Sequence, residues 1–210
     1  MSMSELGREL KLTGGGFKEY LENLENTDFI ERHVSFNFLG KEKVRTIKYK
    51  ISDEFLHFYF SFLNPNLKKI SQGMGGAVLA SIQTRRLDAF MGIAFERFCQ
   101  KNIRKIIGLL SLEIENILNY GPYYSQKEGA QVDLMIILKK KRVLIGECKF
   151  TITPVGLSVV KEMQEKIEKL AIPKTFSISP FLISASGVTE DVKDAEYFDN
   201  IITLKNLLLP

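Results

Sequence analysis

The stretch GAQVDLMIILKKKRVLIGECKF, residues 129–150, decides the fold of the second half of this chain. Two apolar runs flank a basic segment, a pattern that predicts a buried β-hairpin with its turn at residues 139–141. The hairpin nevertheless carries Asp133 on its first strand, and Glu147 and Lys149 near the end of its second. Charged side chains are rarely buried unless they pair with one another or bind an ion. These three residues are therefore the first candidates for a functional site.

The pairing register of the hairpin determines whether the three charges meet. A turn at residues 139–141, followed outward along both strands, sets Asp133 directly opposite Glu147. Residues directly opposite each other share one face of the sheet, with Cβ atoms about 5 Å apart. Lys149 shares the face of Glu147, whereas Cys148 takes the other face and is interpreted as a core residue, because side chains alternate along a strand. We therefore predict a cluster of two carboxylates and one ammonium.

Two carboxylates this close repel each other when ionised, so they persist by sharing a proton or by binding a cation. Without a metal, we expect a raised pKa for at least one of Asp133 and Glu147. Their hard oxygen atoms suit Mg²⁺ or Mn²⁺, completed by water and phosphate. Lys149 beside such an ion would hold or deprotonate an attacking water, which is the chemistry of metal-assisted phosphodiester hydrolysis. A cross-strand salt bridge remains the alternative, since an isolated Asp…Glu-x-Lys set is short.

The composition excludes several classes of protein. The chain has 210 residues, a net charge of +4 and two cysteines, too few for a disulfide scaffold or a cysteine-based zinc site. The expected compartment is therefore a reducing one, the cytoplasm. No apolar run is long enough to span a bilayer and no signal-peptide pattern is present, so we expect no membrane partner. The modest positive charge permits a nucleic-acid partner without requiring one.

The order of the sequence patterns predicts two domains. Residues 1–66 combine two helical segments and two β-like runs, the parts of a small winged-helix-like domain, with an aromatic helix at its end. Ser52 is the expected N-cap of that helix, and Phe55–Leu63 is apolar enough to be packed on most sides. The small residues within 67–84 are typical of a connector. Residues 85–210 alternate helices and strands in the order of an α/β domain.

The hairpin acids resemble a known signature. Asp133, followed fourteen residues later by Glu147-Cys148-Lys149, resembles the PD-(D/E)xK nuclease superfamily, the fold of many restriction endonucleases and Holliday-junction resolvases. One departure is that Val132 precedes Asp133, where the superfamily pattern has proline. The resemblance implies an α/β fold, a restriction-endonuclease-like mixed sheet flanked by helices.

The segment Gly92-x-x-Phe95-Glu96 resembles the first core helix of that superfamily, whose glutamate often faces the metal. The resemblance implies a metal site for Mg²⁺ or Mn²⁺. Its ligands would be Glu96, Asp133 and Glu147. The implied catalytic residues are Asp133, Glu147 and Lys149.

A closer resemblance covers nearly the whole chain. YKISDEFLHFYFSFLNPN, GIAFERFC, QVDLMI and LIGECKF, in this order, resemble the C-terminal region of a family of archaeal and bacterial AAA-type ATPases. In that family a winged helix and a restriction-endonuclease-like domain follow the ATPase domain, which makes an AAA-type ATPase domain a candidate partner. This chain has no Walker A motif, so we expect no ATP site in it. Its oligomeric state stays open.

These patterns together predict a Mg²⁺-dependent endonuclease that hydrolyses DNA phosphodiester bonds. The DNA-contacting residues are expected in the basic β-hairpin of the first domain, at Lys41, Lys43, Arg45 and Lys48. The helix before that hairpin is acidic and would repel phosphate. The alternative is a non-catalytic DNA-binding or docking and regulatory module of an AAA-type ATPase.

The helix after the hairpin carries two further candidates. Lys161 and Gln164 lie where some members of the superfamily add a lysine or glutamine to the site. We favour a solvated helix face for both, because such residues at helical spacing usually face water. His33 and His57 have no ligand partner at recognisable spacing, so neither is expected to bind metal.

Overall fold

A computed structural model describes residues 1–34, 47–82, 84–125, 129–170 and 172–209. Over these residues the chain divides into two compact units, Met1–Phe90 and Met91–Pro210. The domain bounds predicted from the sequence (residues 1–66, a connector at 67–84, and residues 85–210) stay a prediction. No helix in the described part of the chain is long and apolar enough to cross a membrane.

The first unit begins with two helices and an antiparallel strand pair. They are α1 Met3–Leu10, α2 Gly15–Asn26, β1 Ile30–Val34 and β2 Ile47–Ile51. A capping box begins α1: the Ser2 hydroxyl accepts from the Glu5 N–H, and the Glu5 carboxylate accepts from the Ser2 N–H. The chain leaves α2 shortly before Asp28, whose φ of 57° lies outside the right-handed helical region. Ile30 pairs with Ile51 in the strand ladder.

The aromatic segment follows β2. It contains α3 Glu54–Phe58, a π-helical turn Tyr59–Leu63 and a 3₁₀ turn Asn64–Asn66. Asp53 caps α3 by accepting the Leu56 N–H at 2.7 Å, so the prediction of Ser52 as the cap is wrong. The Ser52 hydroxyl instead donates to the carbonyl of Asp28.

The aromatic side chains of this segment differ in their burial. Phe62 is 3% exposed and meets the ring of Phe90 edge-on at 5.6 Å. Phe55 and Phe60 are 64% and 52% exposed. The prediction that the helix is packed on most sides is wrong for these two rings, which face solvent. Two short helices follow, α4 Leu67–Ser71 and α5 Gly75–Ser81.

The second unit alternates helices and strands. Its elements begin with α6, whose first turns belong to the first unit, and run in this order: α6 Thr84–Lys101, α7 Ile103–Leu109, β3 Ile117–Ser125, β4 Ala130–Leu138, β5 Arg142–Lys149, α8 Ser158–Lys169, β6 Ser177–Ser184, α9 Glu190–Asp194, β7 Asn200–Thr203 and α10 Leu204–Leu208. Among the described residues, the strands form one sheet in the order β3-β4-β5-β6-β7. The β3-β4-β5 pairs are antiparallel and the β5-β6-β7 pairs are parallel, with α8 in the crossover from β5 to β6. The predicted α/β fold with a mixed sheet flanked by helices is confirmed.

The β4–β5 hairpin has the predicted register. A 3₁₀ turn at Lys139–Lys141 connects the strands, with φ of 59° at Lys140 and 57° at Lys141. Leu138 pairs with Arg142, and the ladder continues to Leu134 opposite Gly146. One step beyond this last pair, the same register would set Asp133 opposite Glu147.

The two faces of the sheet are covered by different helices. A buried apolar cluster on one face includes residues of α6, α7, β4, β5 and β6, among them Phe95, Cys99, Ile106, Leu134, Ile136, Leu144, Cys148, Phe181 and Ile183. On the other face, α8 packs through Val159 and Met163, each 1% exposed. Alternation along β4 and β5 puts Asp133, Glu147 and Lys149 on the face that α8 covers.

The close approach of Phe181 to Gly146 allows a test of side-chain packing on the sheet. A Cβ placed on Gly146 would lie 2.3 Å from the ring of Phe181, which is fully buried in the apolar cluster. We expect Gly146→Ala to lower the free energy of unfolding by about 1–3 kcal/mol, because the ring has no space to move into. Urea denaturation measures the change.

Gly108→Ala is the matched control. Gly108 lies in α7, is exposed, and has no atom near the added methyl group. Alanine favours a helix over glycine, so this variant should be unchanged or stabilised by up to about 1 kcal/mol. Equal stabilities for Gly146→Ala and the parent chain would contradict the packing of Phe181 against β5.

Candidate active site

Two buried acids lie on the α8 face of the sheet. Asp133 is 5% exposed and Glu147 is 8% exposed. Asp133 Oδ2 accepts a hydrogen bond from the main-chain N–H of Cys148 at 2.9 Å, which ties the first acid to the strand of the second. The structure therefore brings together the two carboxylates that the hairpin register predicts as neighbours.

Two lysines compensate the charge of Glu147. Lys149 Nζ lies 3.2 Å from Glu147 Oε1, and Lys166 Nζ of α8 bonds to Glu147 Oε2. Lys149 Nζ also donates to Glu162 Oε2 of α8 at 2.7 Å. We call Asp133, Glu147, Lys149, Glu162 and Lys166 the acid–lysine cluster. It joins β4, β5 and α8 by charge as well as by packing.

The environment of Asp133 disfavours its ionised form. Burial raises the pKa of its carboxyl from an ordinary value of 3.8 to about 6, and the negative charge of Glu147 adds to the increase. The charge of Lys166, the hydrogen bond from Cys148 and the charge of Lys149 each offset part of it. The predicted increase in the pKa of one of the two acids is therefore found at Asp133.

Lys149 is held in its protonated form. Burial opposes the charge of its ammonium, but the hydrogen bond to Glu162 and the charge of Glu147 outweigh burial, so the pKa lies above its ordinary value. The same contact with Lys149 lowers the pKa of Glu162. At neutral pH, Lys149 therefore acts as a cation and not as a proton acceptor.

Glu96 lies on α6, on the opposite side of the sheet from α8. The neighbouring Phe95 and Cys99 pack in the apolar cluster with Cys148. The hydrogen bond with the Cys99 thiol, together with burial, raises the pKa of the Cys148 thiol. One turn further along α6, Gln100 Nε2 donates to the carbonyl oxygen of Asp133 at 3.2 Å. The helix of Glu96 thus contacts the strand of Asp133 through the main chain. Cys148 is a core residue, as predicted.

The donor set of the cluster suits a divalent cation in part. Asp133 and Glu147 supply hard carboxylate oxygens of the kind that Mg²⁺ and Mn²⁺ prefer. Within the described ranges, however, no three His, Cys, Asp or Glu side chains form a group that could hold a metal ion. The predicted ligand set of Glu96 with the two hairpin acids stays a prediction.

Two members of the cluster were not singled out by sequence reasoning. Lys166 and Glu162 point from α8 towards β5, whereas the candidates chosen on that helix, Lys161 and Gln164, are exposed. Lys161 pairs instead with Glu165 at 3.9 Å on the solvent side. The favoured interpretation of Lys161 and Gln164 as solvated residues agrees with this placement.

Of the four residues predicted to contact DNA, the structure describes one. Lys48 is exposed on β2, opposite His33 in the strand ladder. Lys41, Lys43 and Arg45 lie outside the described residues. The DNA contact therefore remains a prediction for all four.

The raised pKa of Asp133 predicts how stability changes with pH. Below about pH 4 both the folded and the unfolded chain hold this proton; between about pH 4 and 6 the unfolded chain releases it first. The contribution of Asp133 to the free energy of unfolding should therefore fall by roughly 3 kcal/mol as the pH rises through this window. It should stay constant above it.

Asp133→Asn isolates this contribution, because asparagine cannot ionise and still offers an oxygen to the Cys148 N–H. The measurement is urea denaturation of both proteins between pH 4 and 7. The difference in unfolding free energy, parent minus variant, should decrease with rising pH. A difference that is flat, or that increases, would contradict a carboxyl held in a buried, negatively charged environment.

Comparison with known proteins gives three matches. Residues 59–167 match the DUF234 family, described as archaea bacterial proteins of unknown function. An uncharacterized protein of Methanocaldococcus jannaschii is 26% identical over 152 residues, which cover 71% of this chain and 32% of that protein. The chain thus spans about a third of the length of this curated relative.

The crystal structure of a repair endonuclease from Pyrococcus abyssi matches 54% of this chain and 46% of its own. The TM-score is 0.37 at 19% identity. The family match is of a different kind, since it covers just over half of the chain. This protein is a member of the DUF234 family.

Proposed function

We propose that the second unit is a nuclease-like domain of the PD-(D/E)xK type that hydrolyses DNA phosphodiester bonds with Mg²⁺ or Mn²⁺. One observation carries the proposal: Asp133, Glu147 and Lys149 meet on one face of a mixed sheet. Two acids that are almost fully buried are costly, and burial keeps the pKa of Asp133 raised despite the two nearby lysines. A site that binds a cation during function accounts for retaining both.

Asp133 and Glu147 would hold the metal. Glu96, on α6 across the sheet from the acid–lysine cluster, stays a sequence-based prediction as a third ligand. A bound divalent cation would lower the pKa of a water molecule and neutralise charge on the phosphate. The chain's own contribution is to bring two carboxylates together and to exclude bulk water from them. α8 provides that exclusion, because it covers this face through buried side chains.

Lys149 would position the reacting groups. Its pKa lies above the ordinary lysine value, so its ammonium stays charged at neutral pH. A charged ammonium donates hydrogen bonds to water and attracts the anionic phosphate, but it cannot accept a proton. Of the two roles considered from the sequence, holding the water fits this environment better than deprotonating it.

The first unit would supply DNA contacts as a winged-helix-like domain. Lys48 is exposed on β2 and carries a charge that can contact a phosphate. Lys41, Lys43 and Arg45 precede it in sequence and would extend the same basic segment. We propose that the protein acts in the cytoplasm.

A second candidate function is a non-catalytic docking or regulatory module of an AAA-type ATPase. The observation in its favour is that Glu147 already pairs with both Lys149 and Lys166, as a purely structural salt bridge would. The length of the M. jannaschii relative is compatible with a longer protein of which this chain corresponds to one region. Activity measurements separate the two candidates.

The test is a cleavage assay on duplex, branched and single-stranded DNA with Mg²⁺ or Mn²⁺. We expect Lys149→Met to reduce cleavage on the order of a hundredfold or more and to retain metal binding, because the lysine acts on water and phosphate. Asp133→Asn should lose both cleavage and metal binding, because it replaces a ligand. Calorimetry with Mn²⁺ measures the binding.

Lys161→Met is the matched control, since it removes the same charge from an exposed position on α8. It should cleave like the parent chain. If the cluster is a structural salt bridge, Lys149→Met should instead lower stability with no activity to lose, by less than the roughly 3–5 kcal/mol of an unpaired buried charge because Lys166 still pairs with Glu147. Absence of cleavage in the parent chain, or cleavage that persists in both site variants, would exclude the nuclease function.

A further inference from the structure

The proposed function assigns no role to Lys166, although this lysine pairs with Glu147. It projects from α8 onto Glu147 and bonds to Oε2, and its side chain is 20% exposed. Its positive charge also acts on Asp133, the acid beside Glu147. The Lys166 ammonium therefore lies within the field of both carboxylates.

The Lys166 ammonium occupies a carboxylate oxygen of Glu147 that a bound divalent cation would also need. A divalent ion held by both acids requires oxygen atoms of Glu147, and one of them carries the Lys166 ammonium. Two cations near one carboxylate repel each other, and partial burial weakens the screening by water. Binding of the ion and retention of this ion pair therefore oppose each other.

Lys149 is less suited than Lys166 to compete with a divalent cation for Glu147. It divides its ammonium between Glu147 and Glu162, and the contact with Glu162 is the shorter, at 2.7 Å against 3.2 Å. Glu162 thus holds Lys149 towards α8 while Lys166 remains on Glu147. Lys166 also lies in the last turn of α8, where the helix terminus favours a positive charge after it leaves the carboxylate.

We propose that Lys166 is a built-in competitor of the divalent cation: its ammonium occupies Glu147 in the metal-free protein and must be displaced when the metal binds. Lys166 thereby sets the metal affinity of the site and stabilises the acid pair without metal. The inference rests on the metal site of the proposed function. It does not require that DNA be cut.

The experiment is calorimetric titration of the full chain with Mn²⁺ alone, comparing the parent with Lys166→Gln and Lys161→Gln. Lys166→Gln should bind Mn²⁺ on the order of tenfold more tightly, because the competing charge is gone. Lys161→Gln removes an equal charge from the exposed side of the same helix and should change the affinity by less than about twofold. Lys166→Met serves as a second variant that lacks hydrogen-bonding groups.

Thermal melts with and without Mn²⁺ provide a second readout. The increase in melting temperature caused by Mn²⁺ should be larger for Lys166→Gln than for the parent chain. A variant with parent-like or weaker Mn²⁺ affinity, or equal tightening in Lys161→Gln, overturns the inference and leaves the proposed metal site standing. No Mn²⁺ binding by any of the proteins overturns both. Tighter binding by Lys166→Gln without DNA cleavage by the parent supports the inference and excludes the nuclease function.

Discussion

The pairing register between β4 and β5 is the constraint on which the candidate site depends. Because side chains alternate along a strand, a slip of one residue would oppose Asp133 to Cys148 and turn the acid towards the apolar cluster beneath α6 and α7. The turn at Lys139–Lys141 prevents this slip by fixing Leu138 opposite Arg142. The turn at one end of the hairpin thus fixes which side chains meet at the site near its other end.

Burial of the two acids then determines the neighbouring chemistry. A charged carboxylate that leaves water needs a cation or a proton, and the protein supplies both kinds of compensation. Lys149 and Lys166 neutralise Glu147, whereas Asp133 carries a raised pKa. The ion pair between Lys166 and Glu147 connects α8 to β5, so the position of this helix follows from charge as well as from its apolar face.

Much of the second unit could be predicted from the sequence because its signals are local. The short basic turn and the two-residue period of the strands set Asp133 beside Glu147 without knowledge of other elements. The sequence predicts the cap of the aromatic helix at Ser52, but the cap lies one residue later, at Asp53, because the exact end of a helix depends on backbone angles that residue type alone does not fix. The role of Lys166 depends on which face of α8 meets the sheet. A signal for it was present in the spacing of the stripe Val159, Met163, Lys166 and Leu170.

The hydrogen bond from the Cys148 N–H to Asp133 Oδ2 has a consequence for how this site can evolve. The donor belongs to the backbone, so nineteen of the twenty amino acids at position 148 would still provide it. The cysteine side chain faces the core on the far side of the sheet, where selection acts on size and polarity. Substitution at position 148 is therefore limited by packing in the core and not by the charged residues on either side of it. Proline alone, which has no N–H, would release Asp133.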